Sequence, residues 1–130
     1  YHFYNDQGFI QVHATSPLIK KESLDRGIYQ FKKDKKFDSL FSVTCSQRRI
    51  WRILKNKIKP FNHNLKDDPT TQNLENLYEE NSGFYIFSKK SFMNNFNRIG
   101  KKPNYYLLGK IESIDIDDIE DFQIAKSLIK

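Results

Sequence analysis

Five consecutive residues, Gly83-Phe84-Tyr85-Ile86-Phe87, offer no polar side-chain atom except the Tyr85 phenol and follow the polar stretch Glu79-Glu80-Asn81-Ser82. So short and continuous an apolar run reads as a strand buried in a sheet covered on both faces. Such a strand demands cover, and the chain supplies it. Leu24, Ile28 and Phe31 recur at i, i+4 and i+7 and predict an amphipathic helix from Lys21 to Lys33. Lys32, Lys33, Lys35 and Lys36 gather at its end, where cations suit the helix dipole. Strands are predicted on either side of the helix. Residues 9–14 alternate until Thr15-Ser16-Pro17 ends them, and residues 39–44 form the second. Strand, helix, strand is the unit of a parallel sheet.

Ser88 is a candidate N-cap for a short helix carrying Phe92, Met93 and Phe96, followed by a strand at 105–108. Ser113-Ile114-Asp115-Ile116-Asp117 reads as a further strand. A last helix then places Ile119, Phe122, Ala125, Leu128 and Ile129 on its apolar side, with Asp118 as N-cap. Residues 46–82 differ, being rich in Arg, Lys, Asn and Asp and interrupted by Pro60 and Pro69. There Ile50, Trp51, Ile53, Leu54 and Ile58 fit an amphipathic helix or a twisted hairpin equally well. A segment this long inside one domain reads as an arm that packs on something else.

The 130 residues suit one domain, and 38% apolar with 15% aromatic residues suffices for a core. No apolar run approaches the ~18 residues of a membrane helix, and the first residues carry no secretion-signal pattern. With a single cysteine, Cys45, and three scattered histidines, neither an internal disulfide nor a zinc spacing arises. A reducing, cytoplasmic setting is expected. Cys45 has no histidine at a telling position, and no glycine-rich or Gly-Lys-Ser/Thr phosphate loop occurs. Charge is uneven: residues 1–111 hold 20 Lys/Arg against 10 acids, and residues 112–130 hold 2 against 6. A basic body with an acidic end suits a polyanionic ligand, or carboxylates that hold a divalent cation against phosphates.

Three segments could carry chemistry. In an extended strand Asp115 and Asp117 share a face, and a hard cation such as Mg²⁺ would relieve their repulsion. A solvated strand end followed by capping aspartates accounts for the same pattern. His13-Ala14-Thr15-Ser16-Pro17 sits at the carboxyl end of a strand, where ligands bind in parallel α/β sheets, though a plain Ser/Thr turn also fits. Glu79–Tyr85 is polar residues turning into a strand, with Gly83 supplying backbone freedom if it is only a turn. The run Arg48, Arg49, Arg52, Lys55, Lys57, Lys59 around Trp51 reads as a nucleic-acid surface, a solvated face or an oligomer contact.

In this order, five stretches resemble the cytidylyltransferases that activate acidic nine- and eight-carbon sugars, the CMP-sialic acid synthetase (acylneuraminate cytidylyltransferase) family. They are Ala14-Thr15-Ser16-Pro17-Leu18, Thr71-Gln72-Asn73-Leu74, residues 78–87, Asn97-Arg98-Ile99-Gly100, and Ser113–Asp117 with residues 121–125. The resemblance implies a partial doubly wound, mostly parallel nucleotidyltransferase sheet with helices on both faces and a protruding dimerisation arm at about 46–80. It implies transfer of CMP from CTP to an acidic 2-keto sugar, a nonulosonate or octulosonate, with release of pyrophosphate. Asp115 and Asp117 then resemble the family's Mg²⁺-binding, catalytic pair. His13, Thr15 and Ser16 fall beside nucleotide and sugar, and Asn81 and Tyr85 match a Glu-Asn-Gly-x-x-Tyr sugar-pocket segment. Gln72 matches a glutamine that approaches the sugar, often from the partner subunit of a homodimer. Neither nucleic acid nor membrane is an expected partner. The family's glycine- and Arg/Lys-rich triphosphate loop has no counterpart in these 130 residues. The chain is therefore expected to be the C-terminal portion of such an enzyme and inactive by itself. A truncated scaffold that keeps fold and arm, or a basic nucleic-acid module, are the alternatives.

Overall fold

A computed structural model describes residues 8–66 and 70–129. The chain divides into two compact units, residues 1–44 with 80–130, and residues 45–79.

The first unit is built on a four-stranded sheet. Its strands are β1 (Phe9–Val12), β2 (Ser39–Ser46), β5 (Leu77–Phe87) and β6 (Pro103–Leu107), in the order β1-β5-β2-β6. Helices α1 (Lys21–Lys33), α2 (Lys89–Asn95) and α3 (Ile119–Leu128) complete it. α1 occupies the residues its periodicity predicts. Leu24, Ile28 and Phe31 pack on a buried cluster of Leu40, Phe84, Ile86 and Leu108, joined by Ile10, Val12, Ile19 and Tyr106. The helix approaches closely because Gly27 has no side chain: a Cβ there would lie 2.8 Å from Cε2 of Phe84.

Strand alternation sends Phe84 and Ile86 to the α1 face and Tyr85 and Phe87 to the other. On that second face Phe87 stacks on Phe92 of α2, with ring centroids 5.5 Å apart, and meets Phe9 at 5.7 Å. Helices thus cover both faces of β5, as its apolar run requires. Ser88 caps α2 by accepting from Ser91 N at 3.0 Å, and Asp118 caps α3 by accepting from Glu120 N and Asp121 N. Of the apolar side expected for α3, only Ala125 is buried; Ile119, Phe122, Leu128 and Ile129 are exposed.

Three expectations are corrected. The sheet is mixed and mostly antiparallel, since β1 pairs antiparallel with β5 while β2 pairs parallel with β6. β1 and β2 flank α1 as foreseen but are not neighbours, because β5 lies between them. A helical crossover sets strand direction and leaves open which strand fills the gap. Residues 113–117 form a turn and irregular backbone rather than a strand, tied to the body by a bond from Ile116 N to Thr15 O of 2.9 Å. The left-handed residue before the buried run is Ser82, at φ 54°, and no glycine has positive φ. Gly83 sits in a tight place: a Cβ there would lie 3.0–3.1 Å from Leu108, Ile19 and Ser42, whose side chains would have to give way.

In the second unit the choice between helix and hairpin resolves to a hairpin. β3 (Trp51–Leu54) and β4 (Lys57–Pro60) pair antiparallel. Lys55 and Asn56 both have positive φ, 48° and 60°, the geometry of a two-residue type I′ turn. Register puts Trp51 opposite Pro60 and Ile53 opposite Ile58 on one face. Arg52 opposite Lys59 and Leu54 opposite Lys57 make the other. Asn62 anchors the open end, accepting from Ile50 N and donating to Arg48 O, both at 2.8 Å. A short 3₁₀ turn, Thr71–Asn73, follows; Pro69, expected to interrupt this segment, lies outside the described residues.

Candidate functional site

β1 ends at Val12, and the chain turns at once, with Ser16 N donating to His13 O at 3.2 Å. His13 N still pairs across to Gly83 O of β5, so the ring stands at the carboxyl end of β1 beside Tyr85. Their ring centroids are 5.9 Å apart. Over both lies Arg98. Its guanidinium carbon is 3.7 Å from the Tyr85 ring centroid, Nη2 donates to the Tyr85 oxygen at 3.1 Å, and Nη1 lies 3.3 Å from His13 Nε2. Arginine has no acceptor, so His13 Nε2 accepts and the neutral ring carries its proton on Nδ1. Gln11 Nε2, 3.3 Å away, approaches the same nitrogen.

Tyr85 is fully buried. Its hydroxyl donates to the Glu80 carboxylate, and Ser82 Oγ lies 3.3 Å from the same oxygen. Burial pushes the phenol above its ordinary value of 10.0, and the bond to Glu80 adds to the shift. Tyr85, expected to line a sugar pocket, is buried beneath Arg98, which its ring and hydroxyl oxygen support. Arg98 is the residue that sequence reasoning left without a role. The signal was present, since Asn97-Arg98-Ile99-Gly100 is among the matching stretches, but its approach to residues 13 and 85 is invisible in the chain order.

The loop carrying Arg98 is held at both ends. Phe96 closes α2 in the left-handed conformation at φ 50°, and Asn97 Oδ1 accepts from Ile99 N at 2.9 Å. Gly100 N donates to Ser39 Oγ at 2.8 Å, while Asp38 accepts from Lys101 N and Lys102 N, each at 3.1 Å. An alanine at 100 would put Cβ 2.2 Å from both Asp38 Oδ1 and Ser91 Oγ. The guanidinium is thus placed before any ligand arrives, which lowers the ordering cost of binding an anion.

Among the other candidates, Thr15 is exposed and accepts from Ile116 N through its carbonyl. Ser16 is buried, with Oγ 3.5 Å from Asp115 Oδ1. The structure therefore brings His13, Ser16, Asp115, Tyr85 and Arg98 around one turn. Asn81 is spent within the sheet. Its Oδ1 accepts from Ser42 Oγ at 2.6 Å and Gly83 N at 3.2 Å, and its Nδ2 donates to Thr44 Oγ1 at 2.8 Å. Asp117 is exposed, and its backbone N–H donates to Asp121 Oδ2 at 3.2 Å. Gln72 belongs to the second unit, exposed, with its carbonyl accepting from Gln47 at 3.4 Å.

Among the described residues no three His, Cys, Asp or Glu side chains converge as a metal cage. Asp115 keeps acceptor capacity beyond its single long bond from Ser16. That donor set fits an ion shared with water and substrate phosphates, as Mg²⁺ commonly is, and does not fit an all-protein site. No helix among the described residues is long and apolar enough to cross a membrane.

No protein-family profile matches the sequence. A curated relative, N-acylneuraminate cytidylyltransferase A of Danio rerio, is 28% identical over 122 residues. The match covers 91% of this chain, which spans 28% of that relative's length.

Proposed function

We propose that this chain supplies the sugar-acid side of a cytidylyltransferase centre. In the proposed reaction the anomeric hydroxyl of an acidic 2-keto sugar attacks the α-phosphorus of CTP. A new P–O bond forms, the bond to pyrophosphate breaks, and the hydroxyl proton leaves to solvent. The observation that carries the reading is Arg98, braced by Tyr85 and His13 at the carboxyl end of β1. A preset guanidinium is the natural partner of the sugar's carboxylate, which it can bind with two parallel hydrogen bonds. The likeness to the zebrafish enzyme supports the same chemistry.

Within this scheme Tyr85 and Glu80 hold Arg98, and His13 keeps an Nδ1 proton to donate. Asn81 fixes β5 against β2, and Ser16 steadies Asp115. Asp115 and Asp117 are the residues that would hold Mg²⁺. When bound, the ion neutralises charge on the phosphates. Titration of the chain with N-acetylneuraminate, followed by NMR, should shift the signals of His13 and Arg98. Arg98→Ala should weaken binding at least about tenfold, the loss of one charge-assisted pair. Absence of binding by the unsubstituted chain would overturn the proposal.

Self-association is the second part of the reading. Ile53 is 72% exposed and Ile58 65%, on the hairpin face they share with Trp51. We infer that a second copy covers this face, since an apolar patch of this kind marks an interface. Sedimentation should find a dimer at tens of micromolar, roughly where an interface of ordinary size holds. A dimer that binds no sugar acid would favour the scaffold reading.

A further inference from the structure

We propose that the lysine-lined pocket at the start of β2 binds a small polyphosphate-type anion, at a site separate from the Arg98 cluster. The pocket has a volume of about 360 Å³ and is lined by Lys35, Lys36, Lys90, Lys101 and Lys102 above Asp38. Three stretches of backbone converge to make it. Ser88 N donates to Asp38 O at 3.1 Å, and Asp38 N donates to Lys102 O at 3.0 Å. Together with Gly100 N on Ser39 Oγ, these bonds fix the segments that carry the lysines.

Five lysines therefore line a pocket that holds one carboxylate, Asp38. That carboxylate is already engaged, because both of its oxygens accept backbone N–H groups from Lys101 and Lys102. None of the five lysines forms a salt bridge among the described residues. Like charges gathered around a concave place raise the local potential, and a bound polyanion is what relieves it. Size narrows the class. A volume of 360 Å³ lies at the lower end of small-ligand pockets, suited to a compact chain of two or three phosphates or the phosphates of a nucleotide.

Position makes the site distinct. The register Phe9↔Phe87 to Val12↔Phe84 runs along β5, with His13 paired beyond it at Gly83. Ser88 begins the opposite end, so roughly 10 Å of strand separates the pocket from Tyr85, over which Arg98 lies, at ~3.3 Å per residue. The loop 96–102 nevertheless touches both, through Arg98 at one and Lys101 and Lys102 at the other.

Calorimetric titration of the chain with sodium tripolyphosphate at physiological ionic strength tests the proposal. Binding to one site is expected, and K90Q/K101Q/K102Q should weaken it about a hundredfold, because three ammonium groups that pair with the phosphates are removed at once. These exposed substitutions should leave the circular dichroism spectrum unchanged. K57Q/K59Q, on the hairpin, should change binding less than about twofold, as expected of distant exposed charges. No binding by the unsubstituted chain would overturn the proposal, as would equal loss in the hairpin variant. A single-stranded oligonucleotide that binds through these lysines where tripolyphosphate does not would also overturn it, by making the surface one for nucleic acid. The outcome is independent of whether Arg98 binds a sugar acid.

Discussion

β5 and the hairpin β3–β4 are both strands with apolar faces, yet they use them in opposite ways. Phe84, Tyr85 and Ile86 are fully buried, covered by α1 on one side and by Arg98 with the α2 segment on the other. Ile53, Leu54 and Ile58 are at least half exposed, and the hairpin is organised by its turn, its register and Asn62. In the first case apolar area is converted into the stability of the fold. In the second it remains on the surface, where association can use it. The comparison separates two meanings of a hydrophobic residue that composition alone cannot distinguish.

The largest effect expected from this contrast is on stability. Phe84→Ala should cost about 3–5 kcal/mol, because a fully buried ring leaves a cavity in a packed core. Ile53→Ala should cost the monomer less than about 0.5 kcal/mol, as surface changes do. Chemical denaturation followed by circular dichroism measures both, at concentrations low enough to hold the chain monomeric. Equal losses would break the comparison.

The next effect lies in alkaline solution. Tyr85 has its phenol pushed up from 10.0 mainly by burial, then by its bond to Glu80, so folding favours the protonated form. The stability this contributes is fully present below pH ~10, the unfolded value, and is lost as pH rises through the folded one. Tyr85→Phe should flatten that alkaline fall, and by absorbance Tyr85 should be among the last of the seven tyrosines to ionise. The hairpin strands and their turn contain no tyrosine, so the tyrosinate signal from Tyr85 reports on the body. An unchanged pH profile in the variant would remove Tyr85 from the account.

The smallest effect sharpens the hairpin side. Its turn uses Lys55-Asn56 where Asn-Gly is the sequence best suited to two positive φ angles. The double substitution K55N/N56G should stabilise the hairpin by about 0.5–1 kcal/mol, the scale of relieving positive φ at non-glycine residues. Trp51, the sole tryptophan, reports it through a raised midpoint of its own fluorescence transition. A lowered midpoint would mean that the turn type does not set the register.

What sequence alone determined is what local periodicity encodes. The face of α1, the buried run of β5, the Ser88 and Asp118 caps and the apolar positions of the hairpin are legible because each depends on residues within a turn or two. Helix and strand place side chains by repeat, and the repeat is visible in the chain. Tertiary structure decided the rest. That β5 separates β1 from β2 depends on which strand fills a gap, and no spacing records it. Asp115 and Asp117 alternate like a strand, yet among the described residues no strand pairs with them and the backbone stays irregular. Arg98 meets His13 across 85 positions and Tyr85 across 13. A cation stacked on a buried ring exists only after the sheet has formed, because no local signal links residues that distance apart in the chain.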